Sequence, residues 1–198
     1  MDPLPQAFYS RSPLSVAREL IGKKLVRNLG TGESLEGIIV ETEAYGGATD
    51  PASHAFRGQT SRNLVMFGAP GRVYVYFTYG FHHCLNLVTG RFSGEAAGAV
   101  LIRALQPTKG ISRMKHSRGT NDILKLLNGP GKICQALSID LRLNGADATS
   151  SKSSIHVEAQ EEVFISTIKR SERIGIKTGK DKLWRFYVDG NRFVSGRS

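Results

Sequence analysis

The feature that most constrains the fold is a pair of strand-like segments, residues 37–45 and 72–79, separated by a long loop. Both segments alternate with a period of two, which places successive side chains on opposite faces of a sheet. In the second segment one face carries Val73, Val75 and Phe77, and the other carries Tyr74, Tyr76 and Thr78. We therefore expect a sheet with one apolar face and one face that carries tyrosines.

The rest of the chain predicts further strands with helices around them. Ser12-Pro13 has the pattern of a helix N-cap followed by proline at the first helical position. Gln106-Pro107 predicts the end of a strand. The predicted strands are 24–27, 37–45, 72–79, 85–89, 99–105, 162–168 and 185–188. One predicted helix begins at Pro13, and three others cover 111–116, 123–127 and 132–137. This order favours a single α+β domain over residues 1–198.

Charge and composition narrow the class of protein. The chain has 27 Lys and Arg against 17 Asp and Glu, a net charge of +10, and 40% hydrophobic residues, enough for a real core. The basic excess favours a polyanionic partner, most often nucleic acid, although a basic enzyme without such a partner stays an alternative. The long loop, residues 46–71, is of the kind that often carries function.

The cysteines and the lengths of the apolar runs predict in which cellular compartment the protein lies. Cys84 and Cys134 lie in apolar contexts without a C-x-x-C motif, so we expect reduced core residues of a cytosolic protein. The first ten residues lack the basic and apolar regions of a signal peptide. No apolar run approaches the roughly 18 residues that predict a membrane helix, so we expect no membrane insertion.

The strand that ends at Tyr45 carries the first candidate chemistry. Glu41, Glu43 and Tyr45 share one face, where a carboxylate beside an aromatic ring could act as a general base with a stacking partner. An ordinary solvated face is the alternative. Arg103 lies in an apolar strand and needs a carboxylate partner such as Glu43. That pair could hold a water molecule or be only a structural salt bridge.

Aromatic residues and one histidine could form a slot for a planar ring. His54, in the long loop, could complete such a slot beside Tyr45 and Tyr76, or it could be incidental. Tyr79 precedes Gly80 at a predicted hairpin tip, where an exposed aromatic side chain can wedge into a base stack. The alternative is a tyrosine that packs on the core.

Two further motifs are weaker indications of a functional site. His82-His83-Cys84 suggests a metal site, but neighbours in a strand face opposite ways and no other Cys or His pair stands at zinc spacing, so we expect no metal. The segment from Gly129 to Lys132 opens a helix and could bind an anion through backbone N–H groups, or could be a plain turn. It is too short for a nucleotide-binding P-loop.

Several of these segments together resemble the alkyladenine (3-methyladenine) DNA glycosylase family. The matching segments are 39–45, 59–63, 74–80, 100–105, 129–137, 173–175 and 185–188, in the family's order, within a resemblance that runs from about residue 13 to 195. The resemblance implies a mixed α/β domain around a curved antiparallel sheet with a protruding β-hairpin that intercalates into DNA. It also implies a base-excision-repair enzyme that flips 3-methyladenine, 7-methylguanine, hypoxanthine or ethenoadenine out of duplex DNA and hydrolyses the N-glycosidic bond.

The resemblance also implies roles for particular residues. Glu43 matches the general base, and Arg103 and the carbonyl of Ile174 match the groups that hold its water. The implied base pocket consists of Tyr45, His54, Tyr76 and Asn86, of which Asn86 would reject guanine. Tyr79 matches the intercalating side chain, and the implied contacts with the DNA backbone are made by Thr60, Arg62, Met66 and Lys132.

Further expectations follow from the resemblance. The expected partner is double-stranded DNA with damaged purines. We expect a monomer that needs no cofactor and has no lyase activity. We expect it in a bacterial cytoplasm near the nucleoid, or in the nucleus if the protein is eukaryotic. The loop between His54 and Thr60 is shorter than the family pattern, and residues 81–83 depart from it. A non-catalytic damaged-DNA-binding module and a nucleoside or RNA glycosidase stay open as alternatives. The presence of both Glu43 and Arg103 argues against the first, and Tyr79 argues against the second.

Overall fold

A computed structural model of the chain describes residues 2–30, 32–78, 80–90, 97–160 and 167–196. Its strands are β1 (Lys24–Asn28), β2 (Ser34–Tyr45), β3 (Val73–Thr78), β4 (His82–Val88), β5 (Ala99–Lys109), β6 (Ile155–Glu158), β7 (Ile168–Ser171) and β8 (Arg185–Val188). They form one curled antiparallel sheet in the order β3-β4-β5-β2-β1-β6, with β8 paired to both β2 and β7. The predicted α+β class is confirmed.

The long strand β2 lies at the centre of the sheet. On one edge it pairs with β5, and on the other it pairs first with β1 and then, at residues 41–43, with β8. The register against β5 shifts on both sides of Glu41, which marks an irregularity of the β-bulge kind. Because β2 has strands on both edges and packed layers on both faces, even its polar residues from Glu41 to Glu43 are fully buried.

Short helices cover the sheet. They are α1 (Gln6–Tyr9), α2 (Pro13–Leu20), α3 (Ile111–Arg118) and α4 (Pro130–Ala136), with 3-10 turns at Leu64–Phe67, Ile123–Lys125 and Leu141–Leu143. Helix α2 begins as predicted, since the Ser12 hydroxyl accepts a hydrogen bond from the Ser15 N–H. The Thr42 hydroxyl donates to the Ala17 carbonyl at 2.8 Å, which ties α2 to β2. In the described part of the chain, no helix has the length and apolar character needed to cross a membrane.

The two faces of β3 enter different clusters. Val73 and Val75 belong to the main core, whereas Tyr74 packs in a smaller cluster with Met66 of the long loop, and Tyr76 packs against it. The predicted alternation of this strand is therefore confirmed. The tyrosine face is the side on which residues 46–71 fold back over the sheet.

One strand boundary was predicted wrongly. Gln106-Pro107 does not end its strand, because β5 continues to Lys109 and Pro107 lies opposite Gly37. The register shifts next to Gly37, and such an irregularity tolerates a proline, which has no N–H to donate. Most of the strand predicted at 162–168 falls on residues 161–166, outside the described residues; β7 begins at Ile168. Helix α1 and strand β6 were not predicted, and 123–127 holds only a 3-10 turn.

Gly90 gives a direct test of the packing of the N-terminal segment on the sheet. Its N–H donates to the Tyr9 carbonyl at 2.7 Å, and a Cβ atom at Gly90 would lie 2.1 Å from the Ser10 backbone oxygen. We expect Gly90→Ala to lower the free energy of unfolding by about 3 kcal/mol, the upper end of overpacking costs. Urea unfolding would measure it against Gly129→Ala, whose Cβ would meet only the Lys132 side chain at 3.6 Å. Equal losses in the two variants would contradict this account.

Candidate active site

A cavity of about 450 Å³ opens on the tyrosine face of the sheet. Its size lies within the range of roughly 300–1,000 Å³ that is typical of small-ligand sites. Its lining includes Tyr45, His54, Met66, Tyr74, Tyr76, Asn86, Arg103 and Ile174. The end of β2, the β3-β4 pair, the long loop and the loop after β7 each contribute to this wall, so residues far apart in the sequence meet there.

Aromatic rings form one side of the cavity. The His54 ring lies 4.5 Å from the Tyr76 ring, centroid to centroid, at an interplanar angle of 74°, and its Nδ1 is 2.9 Å from the Tyr74 hydroxyl. Partial desolvation, followed by the nearby charge of Arg62, lowers the pKa of His54, although the residue keeps exposed surface. This shift favours the neutral imidazole, and His54, Tyr45 and Tyr76 line one cavity, the grouping that the sequence predicted.

Asn86 lies on the floor of the cavity, almost fully buried on β4. Its side-chain nitrogen donates to the backbone carbonyls of Tyr74 at 3.1 Å and Cys84 at 3.4 Å. These bonds fix the orientation of the amide at the wall, where a planar ligand would meet it.

Glu43 stands directly behind the cavity wall. The Tyr45 hydroxyl donates to its Oε2 at 2.8 Å, the Ile174 N–H donates to its Oε1 at 2.7 Å, and Arg103 Nη1 donates to Oε2 at 3.4 Å. Glu43 itself has no exposed surface, while these three partners line the cavity. Burial raises the pKa of Glu43, and this effect outweighs the lowering by Arg103, the Ile174 N–H and Tyr45.

The second carboxylate of the strand, Glu41, accepts more hydrogen bonds than Glu43 among the described residues. Its two oxygens accept four hydrogen bonds: from Arg103 Nε at 3.0 Å, Arg185 Nε at 2.6 Å, the Ser195 N–H at 2.6 Å and the Ser195 hydroxyl at 2.8 Å. Three of these bonds end on Oε1 and one on Oε2, whereas in the described part of the chain Glu43 accepts three bonds, of which the one from Arg103 is long. The alternative of a solvated face is wrong, since both carboxylates are buried.

Arg103 connects the two carboxylates, as the sequence predicted in part. It is 7% exposed, and its third contact is with the Ser195 hydroxyl at 3.3 Å. Burial lowers the pKa of Arg103, but Glu43 and Glu41 together outweigh burial and raise it. The guanidinium is therefore held charged beside the cavity.

A second buried ion pair, between Asp50 and Arg173, joins the two loops that close the site. The pair is bidentate at 2.7 Å for both bonds, and both side chains are fully buried. Arg173 also donates to the Ala44 carbonyl at 3.0 Å, and its guanidinium lies 4.7 Å from the centroid of the Tyr45 ring. The pair thereby places the N–H of the next residue, Ile174, on Glu43. Sequence reasoning missed Asp50, because a lone Asp in a glycine-rich loop has the pattern of a turn.

A buried asparagine shapes the outer part of the long loop. The Asn63 side chain accepts from the Thr60 N–H at 2.6 Å and donates to the carbonyls of His54 and Gly58 at 2.8 and 2.9 Å. This leaves Thr60 and Arg62 on the surface. Arg62 donates to the Phe77 carbonyl at 3.1 Å beside the cavity rim.

The remaining predicted DNA contacts lie in different surroundings. Met66 is 3% exposed and packs with Tyr74 in the cavity wall, so its side chain is not available to a phosphate and only its backbone could make the implied contact. Lys132 is partly buried and donates to Asn128 Oδ1 at 2.8 Å, next to the cavity-lining Pro130. Tyr79 lies outside the described residues. Within the described ranges, no group of three His, Cys, Asp or Glu side chains could hold a metal ion.

The methylpurine-DNA glycosylase family matches residues 7–192, nearly the whole chain. The chain belongs to this family. The resemblance seen in the motifs is thus confirmed, and the protein is a DNA-repair glycosylase, a hydrolase that acts on N-glycosyl bonds. Its relatives include a protein of Carboxydothermus hydrogenoformans that is 51% identical over 192 residues, which cover 97% of this chain and 98% of the relative.

Two further relatives are similar over their full length. Proteins of Chlorobium phaeobacteroides and Methanoculleus marisnigri are each 45% identical, and the matched segments cover 100% and 98% of this chain and 97% and 99% of those proteins. All three relatives are provisionally named 3-methyladenine DNA glycosylases.

Asp50→Asn tests the ion pair that closes the site. It leaves the Arg173 guanidinium buried without its charged partner, so we expect a loss of about 3–5 kcal/mol in the free energy of unfolding. Glu19→Gln is the matched control, because the Glu19–Arg11 pair is half exposed and should contribute about 0–1 kcal/mol. Urea unfolding of both variants checks this. A loss below about 1 kcal/mol for Asp50→Asn would rule out the pair as the tie between the loops.

Proposed function

We propose that this glycosylase flips damaged purines out of duplex DNA into the cavity and hydrolyses the N-glycosidic bond with a water molecule that Glu43 activates. The proposed substrates are 3-methyladenine, 7-methylguanine, hypoxanthine and ethenoadenine. The single observation that carries the mechanism is a buried carboxylate with a raised pKa and one weakly occupied acceptor position, directly behind a cavity lined with aromatic rings.

The cavity supports base flipping. A base inside a duplex is out of reach of Glu43, so it must leave the stack at a cost of a few kcal/mol, which is smaller for weakened, damaged pairs. Stacking against His54, Tyr76 and Tyr45 offsets this cost by about 1–3 kcal/mol per base. A neutral His54 does not repel a cationic alkylated purine.

The geometry around Glu43 supports hydrolysis. A purine alkylated at N3 or N7 carries a positive charge, so the bond from C1′ to the base breaks readily and its electron pair leaves with the base. In the proposed step, a water molecule enters at the long 3.4 Å contact between Arg103 and Glu43, where displacement costs least. The oxygen of that water bonds to C1′ while Glu43 takes its proton and stabilises the oxocarbenium character of the sugar. Arg103 and the carbonyl of Ile174 are the groups proposed to hydrogen-bond that water.

Neutral lesions require one further proton transfer. Hypoxanthine and ethenoadenine leave as anions unless a proton reaches the base, so general acid assistance should raise their rate of excision. Asn86 is the proposed selectivity residue, which excludes guanine by contact with its 2-amino group. Lys177 also lines the cavity, but the described hydrogen-bond partners of Glu43 are Tyr45, Arg103 and Ile174, and the proposal is hydrolysis rather than Schiff-base chemistry.

The surface supports contact with DNA. The net charge of +10 favours a polyanion. Thr60 and Arg62 are exposed on the long loop, and Lys132 lies on α4, whose Pro130 lines the cavity. We propose that they bind phosphates, with Tyr79 as the wedge that fills the gap left by the flipped base. The proposal includes one domain over residues 1–198 that acts as a monomer, because a lesion has no two-fold symmetry. The free buried cysteines fit the reducing cytoplasm of a bacterium.

Glu43→Gln tests the mechanism. We expect single-turnover release of ethenoadenine or hypoxanthine from a duplex oligonucleotide to fall by about 10²- to 10⁴-fold, because the amide cannot accept the proton of water. Binding of the damaged duplex should change little. The readout is alkali-labile abasic sites, and the undamaged duplex is the control.

The other outcomes of that experiment separate the alternatives. Tight binding of damaged duplex by the wild type without release of any base would favour a non-catalytic recognition module. Rapid cleavage of free nucleosides would favour a nucleoside glycosidase. Equal activity of wild type and variant would place the general base elsewhere.

The pH dependence tests the same carboxylate. Glu43 works as a base only when ionised, so activity falls as pH drops through its pKa, and burial places that acid limb above the usual range of a glutamate. The Tyr45 hydroxyl lowers the pKa of Glu43, so Tyr45→Phe should move the limb to higher pH. The measurement is the single-turnover rate on 7-methylguanine, whose departure needs no protonation. A limb that does not move would mean that another group titrates.

A further inference from the structure

The C-terminal segment returns beneath the two carboxylates of β2. Ser195 is 4% exposed and binds Glu41 through both its N–H and its hydroxyl, at 2.6 and 2.8 Å. The same hydroxyl accepts from Arg103 Nη2 at 3.3 Å, and the Ser195 carbonyl accepts from Arg185 Nη2 at 3.3 Å. One serine therefore contacts three charged side chains, one of which borders the cavity.

The position of Arg103 between its two carboxylates is asymmetric. Its Nε lies 3.0 Å from Glu41, whereas its Nη1 lies 3.4 Å from Glu43. An arginine fork prefers to close on a carboxylate through two parallel bonds of about 2.7–2.9 Å each. Glu43 offers such a partner, but the contacts with Glu41 and Ser195 keep the fork away from it.

Glu41, which contacts Arg103, is itself fixed by residues outside the site. Arg185 on β8 binds Glu41 through Nε at 2.6 Å and donates through Nη1 to the Ser171 hydroxyl on β7 at 3.0 Å. Glu41 is thus fixed from two sides, by the β7-β8 pair and by the C-terminal segment. A fixed Glu41 gives Arg103 a fixed position.

We propose that Glu41 and Ser195 are positioning residues that hold the Arg103 guanidinium back from Glu43, so that the Glu43 carboxylate keeps an open acceptor position for the attacking water. This inference rests on the proposed hydrolytic function of Glu43. Without the hold, the guanidinium closes on Glu43 and occupies the position that the water needs. Neither Glu41 nor Ser195 touches the substrate or the water.

Ser195→Ala is the primary variant, with Ser195→Thr as the matched control that keeps the hydroxyl. Glu41→Gln is the more direct change, but it removes a charge buried between two guanidinium groups and endangers folding. For Ser195→Ala we expect the maximal single-turnover rate on 7-methylguanine duplex to fall by about tenfold or more, the effect of one hydrogen bond to a charged group. The dissociation constant of the damaged duplex should change less than about twofold, since the hydroxyl lies behind the wall.

The pH profile separates positioning from a structural role. When Arg103 moves closer to Glu43, the pKa of Glu43 falls, so the acid limb of Ser195→Ala should move to lower pH, while Ser195→Thr keeps the wild-type limb and rate. A wild-type rate and limb in Ser195→Ala would overturn the proposal. A slower reaction with an unmoved limb would also overturn it, because it would show only a loss of packing.

A second measurement does not depend on activity. The ¹³C chemical shift of the Glu43 carboxyl, followed through a pH titration by NMR in wild type and in Ser195→Ala, reports the same pKa directly. We expect a lower midpoint in the variant, and equal midpoints would overturn the proposal. If wild type released no base from any lesion while the midpoints differed, the proposed function would fail and the positioning of Arg103 by Ser195 would stand.

Discussion

The burial of negative charge in the centre of the sheet is the constraint on which the rest of this structure depends. Glu41 and Glu43 lie on the innermost strand with no exposed surface, where an unpaired carboxylate would be very costly. Two arginines, Arg103 and Arg185, come from the strands on either side of β2 and balance the two charges. The positions of β5, β8 and the C-terminal segment are therefore tied to the electrostatics of the site.

The two carboxylates differ in how many hydrogen bonds they accept, and the proposed chemistry depends on this difference. Among the described residues, Glu41 accepts four hydrogen bonds, while Glu43 accepts three, one of them long, from partners that line the cavity. A carboxylate kept short of partners in a buried site has a raised pKa and is a stronger base for water. Such a group lowers stability, a cost that active sites commonly carry.

In the proposed mechanism, different groups around the cavity serve base binding and bond cleavage. The aromatic rings of the long loop and β3 suit any flat base, so they contribute affinity rather than selectivity. In the proposed mechanism the leaving group of a cationic lesion is already activated, and a water with one carboxylate completes the reaction. The bidentate Asp50–Arg173 pair makes this possible by joining the loop that carries His54 to the loop that carries Ile174.

The sequence by itself determined the local features: the N-cap at Ser12, the alternation of β3, the shared face of Glu43 and Tyr45, and, through its motifs, the family. Only the tertiary structure decided which carboxylate accepts fewer hydrogen bonds, that Met66 is buried, and that Asp50 and Ser195 contact the residues around the cavity. The period of a strand fixes which face a side chain takes, but not what it meets there. The deciding contacts join residues 62, 123 and 154 positions apart, as in Arg103–Glu41, Arg173–Asp50 and Ser195–Glu41, and they exist only once the sheet has curled and the loops have closed over it.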